Sequence, residues 1–565
     1  MKHELEDAIR RICQQLYGLE LDAELSRPDE QYGDYATNIA MQLSSRLGGN
    51  PRELAGQIKE ALLTDNDGTL SDVEIAGPGF LNLRLSDKAL VRMITAAPAQ
   101  PLGGRTVVIE YSDPNPFKPL HAGHLYTTLV GDTIARLVEN AGARTIRINY
   151  GGDVGLHVGK SMWAIIKWLG GELPEKLEAI DPANRPSWLG DRYVAGNEAY
   201  EDDAAAKKEI IEANKRVYML HEQQDHDSPF ARIYWTCRTW SYQYFAELYR
   251  RLHVVPFDRY IPESEVTPLG VATVREQLKR GVFSESEGAV VFDGTQAGLH
   301  TRVFINSEGL PTYETKDVGL SLTKWNDYHF DESIIITANE QAHYMQVVLA
   351  AIGQFAPEPA NRTRHLTHGV VKLQGGVKMS SRKGNTVTAL EILDAALAAG
   401  AASGTNPSEE TILAAVKYAF SKNRLGADII YDPKESIALE GNSGPYLQYA
   451  HARARSILAR AAGSVNTAAL PEEQLASGGL QPDERSLLRK LTEYAEIVER
   501  ATGELLPHYI CTYLYELAQQ FNRFYEKNRV LGDEREAARL QLVTLYADTL
   551  KNGLELLGIQ APDHM

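Results

Sequence analysis

Apolar residues recur every three to four positions across residues 4–17 and again across 39–47, which predicts two amphipathic helices. Residues 73–85 read instead as two strands around the turn Gly77-Pro78-Gly79. A strand–helix–strand unit follows. Residues 106–111 alternate like a buried strand, helical periodicity runs from 123 to 140 and stops at Gly142, and a second strand covers 144–150. Further strands are predicted at 333–337 and 366–373. Strands alternating with helices imply a parallel sheet covered on both faces. Residues 170–263 are polar and helix-rich, with Trp188, Trp235 and Trp240, and read as an insertion in that sheet domain. Beyond Ala399 the periodicity is helical to Leu557, apart from a loop at 461–482.

Three domains result, as a chain of 565 residues requires. Residues 1–98 form a small α+β domain and 99–402 an α/β parallel-sheet domain with its insertion at about 170–263. Residues 403–565 form an α-helical bundle. Composition adds exclusions. At 43% hydrophobic and 24% charged the chain is ordinary for a globular protein, and it has no apolar run long enough to span a membrane. The acidic start Met1-Lys2-His3-Glu4-Leu5-Glu6-Asp7 lacks the apolar core of a secretory signal. Cys13, Cys237 and Cys511 are too scattered for a disulfide framework or a zinc-ligand pair. The expected compartment is the cytoplasm. A net charge of −17 argues against a broadly basic nucleic-acid binder, so any RNA contact must rest on local clusters.

Two motifs carry chemistry. Pro119-Leu120-His121-Ala122-Gly123-His124 sits between the first strand and helix of the sheet domain, where open α/β folds bind ligands. Free N–H groups at the helix start favour phosphate. Gly123 lets a nucleotide approach the backbone. His121 and His124 can donate to phosphates as charge develops. About 250 positions later stands Lys378-Met379-Ser380-Ser381-Arg382-Lys383-Gly384-Asn385, a basic run flanked by Gly376 and Gly384 and able to close cations over a triphosphate. The plain alternatives are two histidines in a polar loop and a solvated basic turn.

In this order and at this separation the pair resembles the ATP-binding signatures of class I aminoacyl-tRNA synthetases. The resemblance implies a Rossmann-like catalytic domain, with ATP held by His121, Gly123, His124, Lys378, Met379, Ser380 and Ser381, and catalytic charge from His121, His124 and Lys378. The usual loop has a second lysine where this chain has Ser381. Lys118 or Lys383 is then expected to supply the missing charge.

The resemblance narrows with Ile109-Glu110-Tyr111-Ser112-Asp113-Pro114-Asn115-Pro116-Phe117-Lys118, Gly152-Asp153-Val154-Gly155, Tyr313-Glu314-Thr315-Lys316-Asp317, Gly444-Pro445-Tyr446-Leu447-Gln448-Tyr449 and Leu557-Gly558-Ile559. These are similar to arginyl-tRNA synthetases over nearly the whole chain, less so in the insertion. Carried over, Glu110 and Asp317 face a guanidinium with Tyr313 beside them, and Asn115 and Gln341 hold the α-amino end. The chemistry is sound in itself: a guanidinium is a rigid fork of donors that two carboxylates match and an ammonium does not. The plain alternatives are a sheet-edge charge at Glu110 and a helix-start residue at Asp317.

The resemblance also implies an anticodon-binding role for the helical domain, through Tyr446, Gln448, Tyr449, Arg453 and Tyr525. Aromatic rings stack on unpaired bases while arginines meet phosphate. The first domain would meet the tRNA elbow through Tyr32 and Asn38. The implied activity is arginine activation by ATP and transfer to the terminal adenosine of tRNA(Arg), with tRNA needed even for activation. Mg²⁺ enters with ATP, no zinc is expected, and the protein acts as a monomer away from membranes. Three competitors stand beside this reading. A cysteinyl enzyme is disfavoured by the lack of clustered zinc ligands, and a small-molecule nucleotidyltransferase would not need the helical block. The third is a catalytically silent tRNA-binding paralogue, for which Ser381 speaks.

Overall fold

The computed structural model describes residues 1–95, 99–374, 387–404, 406–461 and 479–565. Its central sheet has five parallel strands: β1 (Thr106–Glu110), β2 (Arg144–Gly151), β3 (Arg259–Pro262), β4 (Glu332–Ala338) and β5 (Thr363–His368), in the order β5-β4-β1-β2-β3. β1 reads Val107-Val108-Ile109, an unbroken apolar run, because both of its faces are covered. Val107 and Ile109 pack under helix α1 (Ala122–Asn140), while Val108 meets Leu320 and Phe330 on the opposite side. Strand order reverses between β1 and β4, so the C-terminal end of β1 opens at a topological switch point.

The helices at the start of the chain form over Lys2–Tyr17 and Ile39–Leu47, and the strand pair over Leu70–Ala76 and Phe80–Leu85. Elsewhere the structure corrects the sequence reading. The single strand predicted at 366–373 is two: β5 ends at His368, and Val371–Leu373 pairs with Ile429–Tyr431 in a separate ladder. The break falls at Gly369, where an added Cβ would lie 2.2 Å from the Ala427 carbonyl. β3 lies within the predicted insertion. It is a four-residue edge strand, too short for its alternation to show. A three-stranded antiparallel sheet (Ser284–Ser286, Ala289–Phe292, Arg302–Ile305) also went unforeseen. The insertion helices Arg185–Asp202, Ala204–Glu222 and Pro229–Arg251 surround a core of their own that includes Phe117, Met162 and Tyr234. The core beneath the sheet continues past residue 403, taking in Phe420, Ile429 and Tyr431.

The first domain docks on the helical bundle, and the two share one hydrophobic core. Asp34, fully buried, accepts from Arg485 at 2.7 Å and lies 3.3 Å from Arg489, while Arg27 and the Tyr35 hydroxyl both donate to Glu496 at 2.6 Å. The segment that follows helix Glu536–Leu556 is pinned from two sides. Lys417 donates to the Gly558 carbonyl, and Gln448 of helix α3 (Gly444–Ala461) donates to that of Gln560.

Candidate active site

Glu110 ends β1, and the loop after it is bent into shape. Ser112, Asp113 and Phe117 adopt left-handed backbone conformations (φ 76°, 47° and 71°), which cost roughly 1–3 kcal/mol each outside glycine. Specific bonds hold them there. Asp113 Oδ1 accepts the Tyr150 N–H at 2.8 Å, the Phe117 N–H donates to Ser241 at 2.9 Å, and the Ser112 and Tyr249 hydroxyls lie 2.7 Å apart. The same loop lays Asn115 across Gly152, where an added Cβ would fall 2.0 Å from Asn115 Oδ1. Gly152 is glycine because the asparagine occupies that space.

The acids converge. Glu110 and Asp317 line one small cavity of about 10 Å³, near the size of a single water, together with Ser321, Lys324, Ile335 and Met345. β1 is a central strand, so Glu110 is no sheet-edge charge. Asp317 lies in the second turn of helix α2 (Tyr313–Tyr328) and caps nothing. Their partners differ. Glu110 Oε2 is gripped by Lys324 Nζ at 2.5 Å in a buried pair that the sequence reading did not foresee. Asp317 accepts from the Tyr344 hydroxyl, and no lysine or arginine among the described residues pairs with it. Burial, opposed by the Tyr344 bond and reinforced by Glu110, pushes its carboxyl up to about 8. Burial and Glu110 likewise drive Asp113 well above the carboxylate range.

Tyr313 opens α2 with its ring exposed and its hydroxyl 3.5 Å from His157 Nδ1. Gln341, also exposed, ends the short 3₁₀ turn Asn339–Gln341 ahead of helix Ala342–Gly353. Glu263 pairs with Lys316 of α2 at 2.5 Å, and its Oε1 faces Gly152 beside Asn115.

The histidine pair turns out to be a helix cap. His121 Nδ1 accepts the N–H groups of Gly123 and His124, and His124 Nδ1 accepts that of His121, a reciprocal capping box at the start of α1. The Ala122 N–H goes to the Val387 carbonyl at 3.0 Å. The helix-start donors expected to meet phosphate are therefore already engaged. With Nδ1 of each ring accepting, the proton of the neutral imidazole sits on Nε2, and that N–H is the donor left for an anion. The rings stack at 3.8 Å. Burial, with the Lys118 charge adding to it, lowers His121 to about 4, while burial and His121 take His124 well below its ordinary value. Burial and Lys160 bring Lys118 itself down to about 8. Lys378, Met379, Ser380, Ser381 and Lys383 lie outside the described residues. The chain that follows them is tied to this turn by the Ala122–Val387 and Ala389–Leu120 bonds and the His121–Thr388 bridge.

On the helical domain, Tyr446 and Arg453 of α3 meet Asn522 and Tyr525 of α4 (His508–Lys527). Asn522 donates to the Tyr446 hydroxyl at 3.0 Å, and the Arg453 guanidinium lies 4.8 Å from the Tyr525 ring centre. Tyr449 is 46% exposed, and Arg460 is exposed on the same helix. Gln448 is a correction. It is fully buried and spends its amide on the Gln560 and Glu410 carbonyls, so it anchors the chain rather than facing RNA. Tyr32 and Asn38 are exposed on the first domain.

Lys324, Asp113 and Tyr344 were missed. Lys324 stands seven residues after Asp317, two turns along the same helix face, so the spacing carried the signal. Among the described residues no group of three or more His, Cys, Asp or Glu could hold a metal ion, and no helix is long and apolar enough to cross a membrane.

Comparison with known proteins matches residues 88–427 to the family model "tRNA synthetases class I (R), catalytic domain", residues 447–565 to "DALR anticodon binding domain" and residues 1–85 to "Arginyl tRNA synthetase N terminal domain". The chain is 30% identical to an arginine–tRNA ligase of Porphyromonas gingivalis, over 99% of both chains. It is 29% identical to one of Parabacteroides distasonis, over the whole of both. Among solved structures it resembles the Thermus thermophilus arginyl-tRNA synthetase (TM-score 0.81, 25% identity, all of both chains). It shares its fold with a Mycobacterium tuberculosis methionyl-tRNA synthetase in complex with methionyl-adenylate (TM-score 0.52, 12% identity, 81% of this chain and 92% of that one).

Proposed function

Because this chain belongs to the arginyl-tRNA synthetases of class I, we propose that Glu110 and Asp317 hold the guanidinium of the amino acid that it activates. The chain is an arginine–tRNA ligase. The arginine carboxylate attacks the α-phosphorus of ATP, pyrophosphate leaves, and the terminal adenosine of tRNA(Arg) then takes the arginyl group from the adenylate. Rate comes from positioning and charge stabilisation, without a protein nucleophile.

One observation carries the site assignment: Glu110 and Asp317, on different elements and 207 positions apart, line one cavity at the switch point of the sheet. Among the described residues no cation is bonded to Asp317, and a guanidinium supplies one. Tyr313 stands at the mouth, and Asn115 and Gln341 take the α-amino end. The Nε2–H groups of His121 and His124 donate to the triphosphate, with Gly123 leaving room for the nucleotide. Lys118 adds positive charge, as do Lys378 and Lys383 from the loop that also carries Met379, Ser380 and Ser381. The pinning of Val387 and Thr388 at His121 supports bringing that loop to this site. Mg²⁺ arrives with ATP. On tRNA, Tyr449, Arg453, Tyr446 and Tyr525 meet the anticodon side, and Tyr32 and Asn38 the elbow. The enzyme works as a cytoplasmic monomer.

The test is aminoacylation with each of the twenty amino acids and total tRNA, on the natural chain and on Asp317→Lys. Arginine alone should be charged, and the charge reversal should abolish it while the melting curve stays cooperative. Unchanged arginine turnover in the variant refutes the assignment.

A further inference from the structure

Resting on that reading of Glu110 and Asp317, one resident charge remains unexplained. Lys324 is buried to 1% exposure, lines the same cavity and sits 2.5 Å from Glu110 Oε2. A site for a cationic side chain contains a cation of its own. Apart from Glu110, Asp317 and Ser321, its neighbours in the cavity are apolar, among them Leu320, Ile335, Val348 and Ile352. An isolated ammonium among these would be costly, and so would an isolated carboxylate.

The surrounding groups show what the lysine does. Glu110 is faced by Asp113 from its own loop and by Asp317 from α2. Tyr150 of β2 adds a hydroxyl, and Tyr344 and Glu263 stand further off, beside Asp317. Three carboxyl groups within one another's fields do not all ionise without a cation. With Lys324 removed, Glu110 would lose the only cation bonded to it among the described residues, in a cavity where Asp317 already keeps its proton up to about 8. Lys324 also takes only one of the two oxygens of Glu110. Glu110 and Asp317 line the same cavity, and the lysine bond is to Oε2 alone.

We propose that Lys324 is a positioning residue for the amino-acid pocket: its ammonium grips Oε2 of Glu110 and so holds that carboxylate charged and turned to receive one arm of the guanidinium fork. Lys324 does not touch the reacting atoms. Its effect appears in arginine binding, and it depends on pH because the vacated partner is an acid.

The experiment is arginine-dependent ATP–pyrophosphate exchange by the full chain with tRNA(Arg) present, between pH 6.5 and 9, on Lys324→Met, Lys324→Gln, Lys324→Arg and Glu110→Gln. Lys324→Met should raise the KM for arginine by about a hundredfold at pH 7, and less at pH 9 where both acids ionise, with the KM for ATP within twofold of the natural chain. Lys324→Arg should restore most of the affinity. Lys324→Gln keeps a neutral hydrogen bond to Glu110 in place of the ammonium, guards against misfolding of the methionine variant, and should show the same pH-dependent rise. A wild-type arginine KM in Lys324→Gln at pH 6.5 overturns the proposal. So does an equal, pH-independent loss for arginine and ATP, which is the mark of a merely structural role. Glu110→Gln separates the two levels: if it leaves the arginine KM unchanged, the pocket itself is misassigned. If it raises that KM and the lysine variants do not, only the role of Lys324 falls.

Discussion

Asp34 and Asp317 are both withdrawn from water, and their surroundings differ in kind. Asp34, at the junction of the first domain with the helical bundle, lies under two guanidinium groups and also accepts the Leu85 N–H at 2.7 Å. Asp317 accepts from a tyrosine hydroxyl, has a second carboxylate for a neighbour, and shares its cavity with Lys324, which is bonded to that other carboxylate instead. A joint between domains completes its own ion pairs, because an unmatched charge there serves nothing and costs several kcal/mol. A binding pocket leaves one pair half made and lets the ligand finish it. On the proposed reading, an acid with no cation bonded to it among the described residues distinguishes the pocket from the scaffold.

The contrast can be broken from either side. The largest effect is expected from Asp317→Lys, with kcat/KM for arginine falling at least about a thousandfold, roughly 4 kcal/mol of transition-state stabilisation. Asp34→Ala should do the reverse. Arg485 keeps Asp87 and Arg489 keeps Glu493, so losing the shared acid should cost about 1–3 kcal/mol of stability by denaturant titration, while the arginine KM of the folded fraction stays put. Tyr449→Ala should weaken tRNA alone, by about 1–3 kcal/mol if the ring stacks on a base, read as a rise in KM for tRNA with the pyrophosphate exchange kinetics for arginine unchanged at saturating tRNA. The smallest effect sharpens the comparison through pH. The folded Asp317 binds its proton up to about 8, against an unfolded value of 3.8, so it lowers stability increasingly as pH rises between those limits. Asp317→Asn should accordingly melt a few degrees higher than the natural chain at pH 8 and at the same temperature below pH 4.

Much of this was legible in the chain. The strand, helix and strand of the first parallel unit lie within a residue or two of where periodicity put them, because a buried strand and a long helix repeat often enough to show. β3 did not, since four residues at a sheet edge carry no period. Glu110, Asp317, His121 and His124 could be proposed from their motifs. Their working state could not. That both imidazoles accept at Nδ1 follows from backbone N–H groups converging at the start of α1. That Glu110 is already held follows from a lysine 214 positions away. Gln448 shows the same limit reversed: its motif pointed to RNA, but packing turned its amide inward to carbonyls at 2.8 and 3.4 Å.

The joint built on Asp34 has a consequence for synthesis. Asp34 and Arg485 are separated by 451 residues, so a ribosome adding about 5–20 residues per second makes the second partner roughly 20–90 s after the first. For that interval the newborn first domain carries an acid held only by the Leu85 N–H, without its guanidinium partners, and an uncovered apolar flank that only the distant bundle can close. Nascent chains stalled before residue 480 should therefore be the species that chaperones hold.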